Sequence, residues 1–414
     1  MTLAAFRVRS FRFQWSSDLL TSWASEMETV VLGWYIITQS GSVLLLTVFG
    51  SLQYFGTLAA PMFGVLSDRL GGRILLCAMR SIYVALATLM LALAVSGWLT
   101  PVWVLSIAGL TGFIRPNDLV MRNSLIGETI PPPHLMGALG LSRATMDSAR
   151  VGGALAGAGL STFLGLGLTY VAITCCYLAG LVLTFRITRP TPVPDPAARR
   201  HAASPARELK AGLARVVAVP ELLALMWLAF IINLTAYPAS GGLLPYVARD
   251  IYHVGATGLG WLVASFSFGG LLASLVMVLT GGSQRPERAT FACTAIWYAI
   301  LLGFGHLQTF AAGALTLLAA GFVQNVAMVS MAATLLSAAG AEFRGRVMGV
   351  RTLAVYGLPI GLMAAGFLID RLGYPATITA SAAVGLLVTG LLAARRRTLW
   401  QRARFGATVV ATDD

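Results

Sequence analysis

The chain has 414 residues, 57% of them hydrophobic and only 11% charged, with a formal net charge of +13. Soluble globular proteins carry about 25% charged residues, so this composition, with a mean hydropathy of +0.79, excludes a soluble fold and puts most of the chain in lipid. Membrane β-barrels alternate polarity every second residue, whereas the apolar runs here are continuous, so the expected fold class is an all-α polytopic membrane protein.

A helix needs roughly 20 mainly apolar residues to cross the hydrocarbon core. Twelve runs meet that condition: 13–38, 43–67, 74–97, 101–123, 136–163, 167–186, 220–248, 256–280, 288–306, 309–338, 346–369 and 374–394. Arg7, Arg9 and Arg12 precede the first run, and Asp18, Glu26 and Glu28 interrupt it. Those acids argue against a cleavable signal peptide and for a retained helix. Asp18, Ser22, Ser25 and Thr29 recur at helical spacing and form one polar stripe, with Glu26 and Glu28 flanking it. Ionisable groups inside a span are expensive and mark function by default.

Between the second and third runs lies Gly64-Val-Leu-Ser-Asp68-Arg69-Leu-Gly71-Gly72-Arg73, a charged, glycine-rich stretch that must form a short loop outside the lipid. Its glycines permit tight turns and close helix approach. Arg80 follows on the same side. Trp98 and Trp103, with Trp400 near the end of the chain, mark span ends as interface-belt residues. The fourth run carries Arg115 and Asp118 at i, i+3, with Pro116 expected to kink the helix and Arg122 at its end. The fifth carries Arg143, Asp147 and Arg150, then Gly152, Gly153, Gly157 and Gly159. Neighbours at i, i+3 can pair, so Arg115–Asp118 and Asp147–Arg150 are each either fixed ion pairs or parts of a proton-coupling device. Arg115 is equally suited to pair with Glu26 or to bind an anionic group. Cys77, Cys175, Cys176 and Cys293 lack metal-ligand spacing and read as small apolar filler. No metal site and no cofactor are expected.

Residues 187–218 break the pattern with five prolines and a basic cluster, an extended linker with an amphipathic helix near 206–217. It divides the chain into a bundle at 1–186, a linker at 187–218, a second bundle at 219–396 and a tail at 397–414. The second half has Arg351 as its one charge inside a span. It offers neutral and aromatic groups instead: Asn233 and Tyr237, then Gln324 and Asn325, then Tyr356, which Trp34, Gln53 and Tyr54 of the first half can face. That mixture suits an amphipathic organic substrate. At an offset of 207, Gly159-Leu160 falls on Gly366-Phe367 and Gly165 on Gly373, a trace of a parallel repeat.

Basic residues gather at the N-terminus, the 69–80 loop, the linker, 285–288, 344–346 and 395–404, while the opposite loops offer only Arg249 and Arg371. By the positive-inside rule both termini are cytoplasmic and the span number is even. The surplus charge is thus topological, and no nucleic-acid partner follows from it.

The loop at 64–73 resembles the signature between helices 2 and 3 of major facilitator superfamily transporters. Supporting pieces are Arg344-Gly345-Arg346, Gly366-Phe-Leu-Ile-Asp370-Arg371-Leu-Gly373 and the glycine-rich fifth run. Phe11-Arg12, Ser40-Gly41-Ser42 and Arg115-Pro116 resemble the branch holding the enterobactin exporter and drug-efflux proteins, in which an Asp near Ser25 is usual. The resemblance implies two six-helix bundles, twelve spans, an inner (plasma) membrane location and a site at the midplane between halves. It also implies a cytoplasmic latch in which Asp68 meets the start of the eleventh run near Gly345, where unpaired N–H groups favour an anion, with Arg122 as a further partner. Gly64, Arg69, Gly71 and Arg73 shape or anchor that gate, and Arg73 alone could equally serve topology. The counterpart at 281–285 has no acid.

Together these readings point to a monomeric secondary transporter whose partners are a small molecule, protons and lipid, in the direction of efflux. Uptake of a siderophore or other organic solute is the alternative. A membrane enzyme is disfavoured by scattered histidines (His134, His201, His253, His306) and the lack of a nucleophile elbow, and an ATP-driven pump by the lack of a P-loop. A channel is disfavoured by the intramembrane charges and the half-repeat.

Overall fold

The computed structural model describes residues 6–59, 62–63, 66, 70–187, 205–340 and 343–395. Gly64, Asp68 and Arg69 of the signature loop, most of the linker and the tail with Trp400 lie outside the described residues, so the latch expected of Asp68 does too. Within the described residues every regular element is helical.

Helix α1 (Arg9–Ser40) ends at Gly41, whose φ of 64° lets its N–H return to the carbonyl of Ile37, the left-handed cap that glycine supplies without strain. Ser42 then caps α2 (Val43–Leu52) by accepting the N–H of Leu45 at 3.3 Å. The second run was expected to be one helix, but α2 stops at Leu52. A turn at Gln53–Tyr54 leads into a 3-10 helix, Phe55–Ala59. Packing enforces the break: a Cβ on Gly112 would lie 2.0 Å from the carbonyl oxygen of Leu52, and one on Gly56 equally close to that of Phe113. Backbone therefore meets backbone between the second and fourth runs.

Gly71, at φ 87°, opens α3 (Gly72–Ser96). Pro101 starts α4 (Pro101–Thr129), which contains Pro116, and proline at a first helical position costs nothing because that N–H is an orphan anyway. Helix α5 (Pro132–Phe185) is continuous except at Gly165, where φ 73° and ψ 174° turn the chain, as expected for a boundary between 163 and 167. Gly373 adopts nearly the same conformation, φ 79° and ψ 166°, as does Gly340 at φ 75° and ψ 161°.

The linker contributes α6 (Pro205–Ala218). Helix α7 (Pro220–Thr235) runs on through π-helical turns at Pro238–Gly242 and Val247–Ile251. It is followed by α8 (Ala256–Thr280), α9 (Pro286–Phe304) and α10 (Phe310–Ala339). The eleventh run, expected as one helix, is α11 (Arg344–Leu353) and α12 (Gly357–Leu372) joined by a 3-10 turn, Ala354–Tyr356. Helix α13 (Tyr374–Ala394) closes the described chain.

Seven described segments are long and apolar enough to cross a membrane, including Gly72–Ser96, the 49-residue Gly137–Phe185 and Pro220–Ile251. Helices α1 and α4 fall outside that set because the charges they carry lower their hydropathy. Buried side chains form two main cores, one of residues between Ala24 and Ile187, the other chiefly between Val216 and Ala382. Large apolar side chains such as Trp98, Phe163 and Leu279 stay on the outside, as a lipid solvent allows.

The two cores meet through a set of tight contacts. Gly33 lies against Pro245, Gly50 against Leu362, Gly366 against Thr47, and Gly260 against Ala158. Ser51 donates to the carbonyl of Pro359 at 3.1 Å, Thr257 to the hydroxyl of Thr162 at 3.1 Å, and Arg249 to the carbonyl of Ile37. They run from the end of the molecule carrying Gly41, Gly165, Tyr252 and Gly373 to about halfway down the helices. That end is sealed by small side chains that let backbones touch.

Candidate functional site

Three polar groups occupy the interior. The first is a charge quartet near the other end of α1. Asp18, Asp118, Arg80 and Arg122 are all buried. Arg80 pairs with Asp18 and lies 3.9 Å from Asp118; Arg122 lies 2.6 Å from Asp118 and 3.5 Å from Asp18. Two acids and two bases give no net charge, and neighbours take up several of the remaining donors, while Arg80 Nε and Arg122 Nε have the carboxylates only at ion-pair distance. Arg80 also donates to Ser17 and Thr184, Arg122 donates to Ser22 at 2.8 Å, and Gln14 caps the Arg122 carbonyl at 2.9 Å. Buried ions persist when each is paired and hydrogen-bonded in this way.

This arrangement corrects the expected Arg115–Asp118 pair. Asp118 turns toward Arg122, at i, i+4, because Arg80 from α3 and Asp18 from α1 meet it on that face. Arg80 itself went unrecognised, grouped with the topology-setting arginines. Its place eight residues into α3, about 12 Å from the helix start, is the signal that distinguishes it from an anchor. Arg73, nearer the surface, donates to the carbonyl of Phe185 at 2.5 Å and so ties the start of α3 to the end of α5.

The second group surrounds Arg115, halfway along α4. Its guanidinium donates to Thr29 and Gln53, each at 2.9 Å, and to Glu26 at 3.5 Å. Of the two alternatives for Arg115, pairing with Glu26 is the one present in this structure. The break after α2 is what presents Gln53 to it. Glu28, two residues beyond Glu26, accepts from Tyr177 at 2.9 Å and from Tyr170 at 3.5 Å, and Tyr177 stacks on Tyr83. A small, partly open cleft of about 20 Å³ is lined by Ser25, Glu28, Thr29, Gln53, Tyr83, Arg115 and Tyr177 among others. The sequence pointed to Glu26, Glu28 and Arg115 but not to the tyrosines. Aromatic residues at helical spacing are so often core packing that Tyr170 and Tyr177 carried no distinct signal.

The third group lies where the halves face each other. Tyr237 accepts from Gln324 at 2.7 Å and meets Trp297 edge-on at 5.2 Å. Trp34 packs against both cores. Tyr54 and Tyr237 both lie in the electrostatic reach of Arg150. Asn325 does not join them: it points between α8 and α10, donating to Gly270 and to Ser274. The Asn233 amide donates back to Ala229 at 2.9 Å, and Tyr356 lies in the 3-10 turn before α12. The expected Asp147–Arg150 pair is replaced by Arg143–Asp147 at 3.3 Å. Both registers are possible on one helix, and this one leaves Arg150 exposed.

A family model described as transmembrane secretion effector, of the major facilitator group, matches residues 1–403. Among solved structures, the chain is similar to a bacterial homologue of the human lysosomal transporter Spinster in an inward-facing, unoccupied conformation (TM-score 0.71, 14% identity, 94% of this chain and 96% of that one). It is also similar to the nucleoside transporter NupG (TM-score 0.72, 11% identity, 93% and 99%) and to a POT family transporter in complex with 5-aminolevulinic acid (TM-score 0.68, 12% identity, 94% and 96%). At these identities the likeness is one of fold. No curated protein sequence matches the chain significantly.

Proposed function

Because the chain belongs to the transmembrane secretion effector family of the major facilitator superfamily, and is a multi-pass membrane transporter rather than an enzyme, we propose that it exports a small amphipathic organic molecule in exchange for protons. In this reading the drug-efflux and siderophore-exporter branch is its nearest functional kin. The protein works as a monomer in a bacterial-type inner membrane, with both termini cytoplasmic. Twelve spans form two six-helix bundles, residues 1–186 and 219–396, joined by the linker and followed by the tail. The signature loop, with Asp68 as its acid, latches the cytoplasmic end in the opposite state.

The observation that carries the reading is a cleft inside the first half lined by Glu28 and Arg115, with Glu26 paired to that arginine. With the basic loops in the cytoplasm, the sealed end faces outward and the cleft is reached from inside. A carboxylate at this depth has two ways to be satisfied, a proton or a cation. While ionised, Glu26 shares Arg115 with Gln53 and Thr29, tying α1, the turn after α2 and α4 together. Protonation removes the counter-ion of Arg115 and loosens that tie. Alternation between the two states couples proton entry to rearrangement of the cleft, within a fold whose halves rock around a fixed site. Uptake would use the same parts in reverse, and the family's description as a secretion effector favours export.

The test is pH-gradient-driven flux in proteoliposomes, using a panel of fluorescent amphipathic compounds of either charge. Glu26→Gln and Glu28→Gln should each reduce gradient-driven flux at least tenfold while the protein still purifies as a monodisperse species. Flux unchanged in both variants would overturn the coupling assignment.

A further inference from the structure

The linker helix α6 carries an apolar row that the fold leaves uncovered. Its inner face is docked. Val216 is buried in the second core, and a Cβ on Gly212 would lie 2.8 Å from the carbonyl oxygen of Arg346 at the start of α11. Arg215 and Arg346 both place their guanidiniums against the ring of Phe343, 5.4 and 5.1 Å from its centre. Helix α6 is therefore fixed on α11.

Leu209, Leu213 and Val217 recur at i, i+4 and i+8, and they are 37%, 49% and 60% exposed. At about 100° per residue they cover roughly 80° of arc beside the docked face. Arg207 and Lys210, both exposed, border the row on the side away from the protein. Arg215 lies about 160° round from Leu213. The helix thus has a docked face, an apolar flank, a basic outer edge and a polar flank opposite the apolar one.

The position of α6 says what covers the row. Val219 alone separates it from α7, and backbone hydrogen bonds run through the junction: Val219 donates to the Arg215 carbonyl and Leu223 to that of Val219, each at 3.1 Å. The segment Pro220–Ile251 that follows is long and apolar enough to cross the membrane, so α6 ends where the chain enters lipid. Aliphatic side chains held out at that level fit the boundary between headgroups and acyl chains. Long basic side chains at its edge reach headgroup phosphates while their stems stay in apolar surroundings.

We propose that α6 is an interfacial helix that binds anionic phospholipid. Leu209, Leu213 and Val217 enter the acyl boundary, and Arg207 and Lys210 hold the headgroup phosphate. Because α6 grips the start of α11, lipid held there steadies that end of the second bundle. The inference rests on the membrane-spanning fold and not on cargo, direction or coupling.

The experiment uses the full-length protein in liposomes, with the four native free cysteines replaced and a bimane fluorophore on Leu213→Cys or, on the polar flank, Ala211→Cys. The quenchers are phosphatidylglycerol and phosphatidylcholine carrying a nitroxide high on one acyl chain, at equal mole fraction. Position 213 should be quenched at least twofold more than position 211, and at least twofold more by the phosphatidylglycerol than by the phosphatidylcholine. Arg207→Gln/Lys210→Gln should make the two lipids equal while leaving the phosphatidylcholine quenching and the thermal unfolding temperature unchanged. Equal quenching at 213 and 211 would overturn the placement, as would a label at 213 shielded from both lipids, the result expected of a protein partner. Equal quenching by the two lipids in the unsubstituted helix, or a preference that survives the double substitution, would overturn the headgroup assignment. None of these readings depends on flux, so the transport reading and this one fail separately.

Discussion

Replacing Arg80 with methionine should cost more stability than any other single change in the first half. The side chain is 1% exposed, contacts Asp18, Ser17 and Thr184, and lies 3.9 Å from Asp118. Its loss leaves two buried carboxylates to share Arg122, at 3.5 and 2.6 Å, with one uncompensated negative charge. Removing one partner of a buried pair costs about 3–5 kcal/mol, whereas replacing a whole pair by apolar groups is often near neutral. Arg80→Met should therefore lose about 3–5 kcal/mol. The double variant Asp18→Leu/Arg80→Met keeps the Asp118–Arg122 pair and net neutrality, and should recover at least about 2 kcal/mol of that loss. Equilibrium unfolding in mixed micelles, followed by tryptophan fluorescence, measures both. A single variant within about 0.5 kcal/mol of wild type, or a double variant as costly as the sum of its parts, would refute the description of the quartet as one coupled unit.

Close backbone packing makes a second prediction. Gly361→Ala would put a Cβ 1.9 Å from the carbonyl oxygen of Leu234 and should destabilise the α7–α12 contact by about 1–3 kcal/mol. Gly159→Ala, with nothing within 4 Å, should be nearly silent, and thermal unfolding in detergent compares the two. Arg115→Lys keeps the charge but loses the fork that reaches Thr29, Gln53 and Glu26 together. It should lower gradient-driven flux about tenfold or more with stability unchanged, and flux at the wild-type rate would show that charge alone suffices.

Hydropathy made the helical architecture legible because lipid tolerates little else, and the glycine boundaries at 41, 165 and 373 followed from their conformational freedom. The breaks did not. Those at Gln53–Tyr54 and Ala354–Tyr356 arise where neighbouring helices press on the backbone, information that lies in the contact and not in the local sequence. Ion pairing was legible as to participants and not as to partners. On α4 and α5 the i, i+3 and i, i+4 choices are equivalent along the helix, and Arg80 and Asp18 on other helices decide for Asp118. Glu26 and Glu28 stood out because acids are rare in spans, while the tyrosines that hold Glu28 were hidden among ordinary aromatic packing.

Alternating access is the claim on which the rest depends, and the seal gives a direct way to test it. The hydroxyls of Thr162 and Thr257 are 3.1 Å apart across the two halves. A Thr162→Cys/Thr257→Cys protein, with the four native free cysteines replaced, can be cross-linked and assayed for gradient-driven flux in proteoliposomes. Oxidation should abolish flux and reduction should restore it, because the sealed end must open in every cycle. Undiminished flux through quantitatively cross-linked protein would contradict the account.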